Sequence, residues 1–202
     1  MVAAPIIAIA RHRIDIDGRG VVTLVAFYGC PLRCRYCGNP NSWKSGAAKR
    51  LYTPEQLYQE VRIDQLYFLA SQGGVTFGGG EPLLYADFIR EFRQCCGDDW
   101  NITVETSLNV PLERVQRVLP SVDNFIVDIK DLDPQRYLSY TGKPLEHAWD
   151  NLRWLINNID KDRLVVRVPH IPGFNDVSGV EASVSILRDA GVEIIDVFRY
   201  TI

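Results

Sequence analysis

Six near-continuous apolar segments, rich in β-branched residues, constrain the fold of this chain more than any other feature. They are VVTLVAFY (21–28), GVTF (74–77), ITVET (102–106), FIVDI (125–129), LVVRVPHI (164–171) and EIIDVFRY (193–200). A strand that is apolar at successive positions is buried on both faces, which is typical of parallel sheets covered by helices. The sequence therefore predicts an α/β protein with parallel strands.

Helical patterns separate these segments. TPEQ (53–56) has an N-cap, a proline at the first helical position and the glutamine of a capping box. DFIREFRQCCG (87–97) places its apolar residues on one stripe and ends at a glycine, and similar patterns cover 110–119, 147–158 and 180–191. Six strand–helix units are too few for an eight-stranded barrel. We predict a partial (β/α)6 barrel, with an open parallel sheet as the alternative, and chemistry at the carboxyl ends of the strands.

Composition limits the function classes. The chain has 202 residues and a net charge of -3, so we expect a single domain over 1–202 and no nucleic-acid partner. The apolar start, MVAAPIIAIA (1–10), lacks the basic region of a secretory signal, and no stretch approaches the length of a membrane span. The five cysteines are unevenly clustered, unlike a disulfide framework. We therefore expect a cytoplasmic protein without membrane contacts.

Three of the cysteines lie within the loop YGCPLRCRYCGNP (28–40), directly after the first predicted strand. Cys30, Cys34 and Cys37 have a spacing that suits an iron–sulfur cluster, for which thiolates are the standard ligands. Three thiolates on a four-iron cluster leave one iron available for a substrate or cofactor. The sequence thus predicts a [4Fe–4S] cluster at the carboxyl end of a strand.

The cysteines also allow other interpretations. A structural zinc site requires a fourth ligand, which His170 at the end of a strand could supply. A disulfide with one free thiol, or three unrelated buried cysteines, would not explain the spacing. The adjacent pair Cys95 and Cys96 lies in a helical pattern and is interpreted as ordinary packing.

The C-x3-C-x2-C loop resembles that of the radical S-adenosylmethionine superfamily. In this family the free iron binds the amino and carboxylate groups of S-adenosylmethionine, which is cleaved to methionine and a 5′-deoxyadenosyl radical. The resemblance implies that Tyr36 lies near the adenine. GGVTFGGGEPLL (73–84) is similar to the glycine-rich motif of the family, and Gly79, Gly80 and Glu81 would then hold the methionine amino group.

A narrower resemblance, to the activating enzymes of glycyl radical enzymes, rests on further segments. VDIKDLD (127–133) is similar to a family segment whose lysine meets the carboxylate of S-adenosylmethionine, a role that falls to Lys130. Asp128 would help to bind a monovalent cation. ETSLN (105–109) stands where the family usually has D-T-N-G, so Glu105 and Thr106 would complete the cation and ribose region.

Two more segments extend this resemblance. VRVPHIPGFND (166–176) is close to a family segment that ends in P-G, and Arg167 would be its anion-binding arginine. DIDGRG (15–20) is similar to a D-G-P-G segment, so Asp17 would bind the substrate loop; an equally good interpretation is that Asp17 shapes a turn. The resemblance makes Lys130, Arg167 and Asp17 the candidate catalytic group.

The sequence also departs from the family pattern. Gly78 replaces a serine, and Thr201 stands where the family has a histidine that touches S-adenosylmethionine. No second cysteine cluster lies between Cys37 and Thr53, so the ferredoxin-like insertion of many activating enzymes is absent.

The resemblance implies an anaerobic oxidoreductase that generates a glycyl radical on a partner enzyme. It also implies a flavodoxin or ferredoxin as electron donor, and we expect the protein itself to be a monomer. Two alternatives are a related enzyme with a small-molecule substrate and a cluster-binding redox or regulatory protein without catalysis.

Overall fold

The computed structural model describes residues 2–47 and 49–200. The chain forms two compact units, each assembled from separate segments. The first contains Met1–Cys30, Asn39–Glu105 and Glu113–Phe125, and the second contains Pro31–Gly38, Thr106–Leu112 and Ile126–Ile202. The single domain expected from the sequence stays a prediction.

The described residues form eight strands and seven α-helices. The strands are β1 Ala4–Ile14, β2 Val21–Phe27, β3 Arg50–Tyr52, β4 Gly74–Gly79, β5 Asn101–Thr106, β6 Asn124–Asp128, β7 Leu164–His170 and β8 Ile194–Arg199. The helices are α1 Pro54–Val61, α2 Gln65–Ser71, α3 Ala86–Cys96, α4 Leu112–Val118, α5 Pro134–Thr141, α6 Glu146–Ile156 and α7 Val177–Asp189. Among them, no helix is both long and apolar enough to cross a membrane.

In the first unit the strands follow the order β3-β1-β2-β4-β5. β1 is antiparallel to both β2 and β3, whereas β4 is parallel to both of its neighbours, β2 and β5. The register pairs Phe27 with Gly79, the last residues of β2 and β4. The carboxyl ends of these two strands therefore lie side by side, and the segments that follow them begin at the same edge.

An aromatic cluster fills one face of the first unit. The ring of Phe77 lies 5.5 Å from that of Phe27 and 5.3 Å from that of Phe92, and all three side chains are fully buried. Rings at this separation combine burial of large apolar surfaces with favourable edge and offset contacts. The cluster fixes α3 against β2 and β4.

In the second unit β7 and β8 are parallel neighbours, and α7 contacts β7. The amide of Ile129, directly after β6, donates to the carbonyl of Arg167 on β7 at 3.0 Å. α5 begins at the side chain of Asp133, which accepts from the amide of Arg136 at 2.8 Å, and ends at the left-handed Gly142.

The six apolar segments form β2 and β4 to β8, which confirms the predicted α/β class. The predicted capping box is confirmed as well: the Gln56 amide donates to the Thr53 hydroxyl at 3.2 Å, and the Thr53 amide to the Gln56 side chain at 3.0 Å. β1 and β3 were not predicted. Only the first half of β1 is apolar, its register shifts between Ala10 and Arg13, and β3 has three residues.

Candidate functional site

The first part of the site lies where β2 and β4 end, within the first unit. The Gly80 amide donates to the carbonyl of Phe27 at 3.0 Å, and the Glu81 amide donates to that of Gly29 at 2.7 Å. Gly29 itself donates to the carbonyl of Ser42 at 2.5 Å. Cys30 directly follows Gly29 and is therefore attached to a segment whose backbone is hydrogen-bonded to the glycine-rich motif.

Glycine is required at Gly79 and Gly80 by the closeness of these backbones. A Cβ on Gly80 would lie 2.1 Å from the carbonyl oxygen of Gly29, and one on Gly79 would lie 2.5 Å from the Cβ of Ala26. Gly79 also has a φ of 86°, which favours glycine. The fold itself therefore requires glycine at both positions, in addition to the ligand contact that the resemblance implies.

Glu81 is fully buried, although it is an acidic residue. Its carboxylate accepts from the amide of Leu83 at 3.2 Å, at the start of the turn Pro82–Tyr85. A buried carboxylate is costly unless it is hydrogen-bonded or meets a positive charge. The position suits a group that would receive an ammonium, as the resemblance implies.

Asp17 and Glu105 are linked to Arg13, a residue that the sequence did not single out. The carboxylate of Asp17 accepts from Nε of Arg13, and its main-chain oxygen accepts from the Thr76 hydroxyl at 2.6 Å. The pKa of Arg13 is raised, chiefly by the hydrogen bond to Asp17 and also by the charge of Glu105. Asp17 lies in the connection between β1 and β2, so its contacts agree with the turn-shaping interpretation.

The other two cysteines of the loop, Cys34 and Cys37, belong to the second unit, where α5 holds their segment. The Arg33 amide donates to the carbonyl of Thr141 at 2.8 Å, and the Arg35 amide donates to that of Tyr140 at 3.0 Å. The Tyr140 hydroxyl completes the attachment by donating to the carbonyl of Tyr36 at 3.0 Å. The segment that carries Cys34 and Cys37 is therefore fixed at three backbone positions.

Lys130 carries the positive charge of this part of the site. Its ammonium donates to the Asp128 carboxylate at 2.9 Å, and the two side chains are 19% and 21% exposed. Burial alone would lower the pKa of Lys130, but Asp128 and the nearby Cys34 more than offset it, so the pKa is raised. Burial raises the pKa of Cys34, and Lys130 opposes this shift. Lys130 thus stays cationic beside a thiol that must be a thiolate to bind iron.

Phe174, which the sequence analysis did not single out, supports the cysteine loop from another side. Its ring lies 5.5 Å from that of Tyr36 and 5.2 Å from that of Tyr140, and the Arg35 guanidinium lies 5.6 Å from its centre. The loop that carries Phe174 is closed by Asn175, whose side chain accepts from the Ile171 amide at 2.7 Å. Phe174 directly follows the P-G of the segment VRVPHIPGFND (166–176), and this position was the signal available in the sequence.

Two other predicted residues of this unit have local partners. Nε of Arg167 lies 3.5 Å from the carboxylate of Asp196 on β8, and the arginine side chain is 16% exposed. The hydroxyl of Thr106 accepts from the Leu108 amide at 2.9 Å. Thr201 lies outside the described residues.

The donor set fits an iron–sulfur cluster. All five cysteines are free thiols, and Cys30, Cys34 and Cys37 are partly exposed. Within residues 2–47 and 49–200, no three His, Cys, Asp or Glu residues are grouped closely enough for a single metal ion. Each thiolate of a four-iron cluster binds a different iron, so such convergence is not required of its ligands.

Fold and site together define a class of α/β proteins with a cysteine loop after a parallel strand. Residues 24–183 match the family model described as the radical SAM superfamily. This match covers most of the chain, and the protein therefore belongs to the radical S-adenosylmethionine superfamily.

Similar curated proteins are activating enzymes. The chain is 29% identical to the (2S)-3-sulfopropanediol dehydratase activating enzyme of Klebsiella oxytoca, over 88% of this chain and 75% of the relative. It is 35% identical to the pyruvate formate-lyase-activating enzyme of Clostridium pasteurianum, over 71% of this chain and 60% of the relative. The first alignment spans 241 positions against 202 residues here, so that relative has additional residues within the matched region.

Solved structures confirm the fold. SuiB of Streptococcus suis, in a complex with its precursor peptide SuiA, matches with a TM-score of 0.65 and 14% identity, over 87% of this chain and 38% of SuiB. QueE of Escherichia coli matches with a TM-score of 0.50 and 12% identity, over 99% of this chain and 95% of QueE. At these identities the likeness concerns the fold alone.

Proposed function

We propose that this protein is an activating enzyme that cleaves S-adenosylmethionine reductively and generates a glycyl radical on a partner enzyme. The observation that carries the proposal is the cysteine loop: Cys30 directly follows a backbone segment that is hydrogen-bonded to the glycine-rich motif, and the charge of the partly buried Lys130 acts on Cys34. The similarity to several glycyl radical enzyme activating enzymes supports the choice within the superfamily.

In this proposal Cys30, Cys34 and Cys37 hold a [4Fe–4S] cluster. When bound, the cluster supplies the electron for the cleavage of S-adenosylmethionine to methionine and a 5′-deoxyadenosyl radical. The chain contributes orientation, electrostatics and protection from water. Phe174 and Tyr140 hold the loop so that the thiols keep one arrangement.

The charged residues match the parts of S-adenosylmethionine by sign. Glu81 accepts from the methionine ammonium, near the backbone of Gly79 and Gly80. Lys130 and Arg167 bind its carboxylate, because charge-assisted hydrogen bonds in a half-buried site are stronger than hydrogen bonds between neutral groups.

The remaining residues have supporting roles in the proposal. Tyr36 lies along the adenine, and Glu105 and Thr106 contact the ribose. Asp128 orients Lys130 and contributes to a monovalent cation site. Asp17 contacts the substrate loop from the first unit, where Arg13 holds its carboxylate.

The substrate of the proposed reaction is a glycine of the partner enzyme. The radical removes the pro-S hydrogen atom from the glycine Cα, which yields 5′-deoxyadenosine and leaves an unpaired electron on the partner. A low-potential flavodoxin or ferredoxin provides the electron. We further propose that the protein acts as a monomer in the cytoplasm, where thiols stay reduced.

The test combines the anaerobically reconstituted protein with S-adenosylmethionine, dithionite and purified glycyl radical enzymes, including a pyruvate formate-lyase. Electron paramagnetic resonance should detect a doublet on one partner, with one 5′-deoxyadenosine formed per radical. A partner whose radical glycine is replaced by alanine is the control and should give no doublet. Formation of 5′-deoxyadenosine without a radical on any partner would contradict glycyl radical activation and favour a small-molecule substrate.

A further inference from the structure

The stretch of sequence that contains the cysteine loop is rich in basic residues. Six of the 22 basic residues, and none of the 25 acidic ones, fall between residues 18 and 54, although the whole chain has a net charge of -3. Two of these basic residues, Arg33 and Arg35, immediately flank Cys34. A local excess of one sign on an otherwise acidic protein attracts partners of the opposite sign.

The second unit has three exposed basic residues in or near this loop. Arg33 and Arg35 are exposed, as is Lys143, which follows the end of α5. Arg33 is close to that helix end, because its Cβ lies 3.9 Å from the position of a Cβ on Gly142. We call Arg33, Arg35 and Lys143 the loop face.

Cys34 lies between the two arginines of the loop face and is less exposed than either of them. The residues of this unit that the proposed function assigns to S-adenosylmethionine, Lys130 and Asp128, form a separate and partly buried pair whose charged groups are 2.9 Å apart. They are not part of the loop face.

We propose that the loop face docks a small acidic one-electron carrier protein. This inference rests on the proposed function, which requires an electron from outside the protein. A carrier bound at Arg33 and Arg35 contacts the two residues adjacent to the cluster ligand Cys34, and it leaves Lys130 and Asp128 available to S-adenosylmethionine. In the transfer the carrier is oxidised by one electron, and the [4Fe–4S] cluster is reduced from the 2+ to the 1+ state without a proton.

Charge and position favour a carrier over other acidic macromolecules. Three exposed charges would neutralise few phosphates, which makes a weak nucleic-acid site. The partner glycyl radical enzyme must present its glycine to the bound S-adenosylmethionine, which the proposed function assigns to Lys130 and Asp128 and not to the loop face. A short-lived electron-transfer complex needs only a small interface steered by opposite charges.

The test measures binding without turnover. Oxidised flavodoxin and oxidised ferredoxin are titrated separately into the reconstituted protein, and the dissociation constant is determined at low and at moderate salt. The double variant Arg33→Gln/Arg35→Gln should weaken binding of the carrier about tenfold at low salt and reduce the salt dependence. Lys143→Gln should weaken it by a smaller factor without touching the loop.

A matched control removes two exposed positive charges elsewhere, in Arg62→Gln/Arg188→Gln, and should bind the carrier like the wild type. Dithionite reduces the cluster without docking, so dithionite-driven formation of 5′-deoxyadenosine should persist in Lys143→Gln and in the control variant, which alter no side chain of the cysteine loop. If the wild type forms none with dithionite, the proposed function fails. If it does, but both loop-face variants bind the carriers unchanged, or lose affinity only for the glycyl radical enzyme, the docking proposal is overturned.

Discussion

The two units hold their parts of the candidate site by different means. In the first unit the main chain positions the site, through hydrogen bonds from Gly80 and Glu81 to Phe27 and Gly29. In the second unit backbone hydrogen bonds from Arg33 and Arg35 also hold the cysteine loop, but side-chain contacts are added, through the Lys130–Asp128 pair and the contacts of Phe174 with Tyr36 and Tyr140. Backbone contacts leave no room for an added atom, whereas side-chain contacts can be replaced by similar groups.

The comparison predicts that the largest effect comes from one methyl group in the first unit. Gly80→Ala places a Cβ 2.1 Å from a main-chain oxygen, which cannot move without disrupting the end of β2. We expect the free energy of unfolding in urea to fall by about 3 kcal/mol.

Gly78→Ala is the matched control for this substitution. Its Cβ would meet the Leu24 and Glu105 side chains at 3.3 to 3.4 Å, which small shifts can relieve. We expect a loss below about 1 kcal/mol. Equal losses for the two variants would show that backbone closeness does not distinguish Gly80.

In the second unit, Lys130→Met should produce the next largest effect. Removal of the ammonium leaves the Asp128 carboxylate without its partner at a position only 21% exposed. We expect a loss of about 2 kcal/mol in urea unfolding, reduced from the fully buried case because of this exposure, and a KM for S-adenosylmethionine raised at least about tenfold.

The control is Lys161→Met, which breaks a pair of similar length at the surface. Lys161 and Glu193 lie 2.8 Å apart and are 56% and 60% exposed, so water solvates both charges. We expect a change of about 0.5 kcal/mol or less and an unaltered KM. A similar loss in both variants would contradict a special role for Lys130.

The first unit also contains a buried acidic residue, Asp64, which is remote in sequence from the cysteine loop. Its titration should make the stability of the fold depend on pH. Asp64 is fully buried and accepts from Arg11 at 2.7 Å and from Thr23 at 3.2 Å; its pKa is lowered, chiefly by Arg11. Because the pKa of Asp64 is lower in the folded protein than in the unfolded chain, where it is about 3.9, the ionised carboxylate stabilises the fold above that pH. This stabilisation is lost as the pH falls through the pKa of the folded state.

Asp64→Asn should therefore cost about 1.5 kcal/mol at pH 7, and the difference from the wild type should shrink as the pH falls below 4. Urea unfolding between pH 7 and pH 3 measures this convergence. Asp87→Asn is the control, since Asp87 is half exposed and its loss should be about 0.3 kcal/mol. A constant difference across this pH range would argue against the charged pair.

The smallest effect is expected for Phe174→Leu. Leucine keeps much of the apolar contact but loses the ring contacts with Tyr36 and Tyr140, a loss of about 1 kcal/mol. If the ring positions Tyr36, KM for S-adenosylmethionine should rise a few fold with kcat unchanged, and Phe174→Tyr should restore it. A fall in kcat without a change in KM would contradict positioning of Tyr36.

The sequence predicted the parallel strands because burial on both faces produces long apolar segments. It could not predict β1, because antiparallel pairing at one side of the sheet tolerates the polar residues RHR (11–13) and a change of register. The prediction that Cys30, Cys34 and Cys37 bind a cluster rests on their spacing and on their position directly after the first predicted strand. Phe174 was not singled out, because its ring contacts Tyr140, which is distant in the chain. Arg13 was not either: its partner Asp17 is only four residues away, but their contact depends on the turn between β1 and β2, which the sequence analysis did not predict.

The most direct test of the account is the assay of 5′-deoxyadenosine after anaerobic reconstitution with iron and sulfide, followed by S-adenosylmethionine and dithionite. We predict that the wild type forms 5′-deoxyadenosine, that Cys34→Ala forms none, and that Cys95→Ala, on α3, forms as much as the wild type. Equal formation by Cys34→Ala, or none by a wild type with a full complement of iron and sulfide, would contradict the assignment of the cysteine loop.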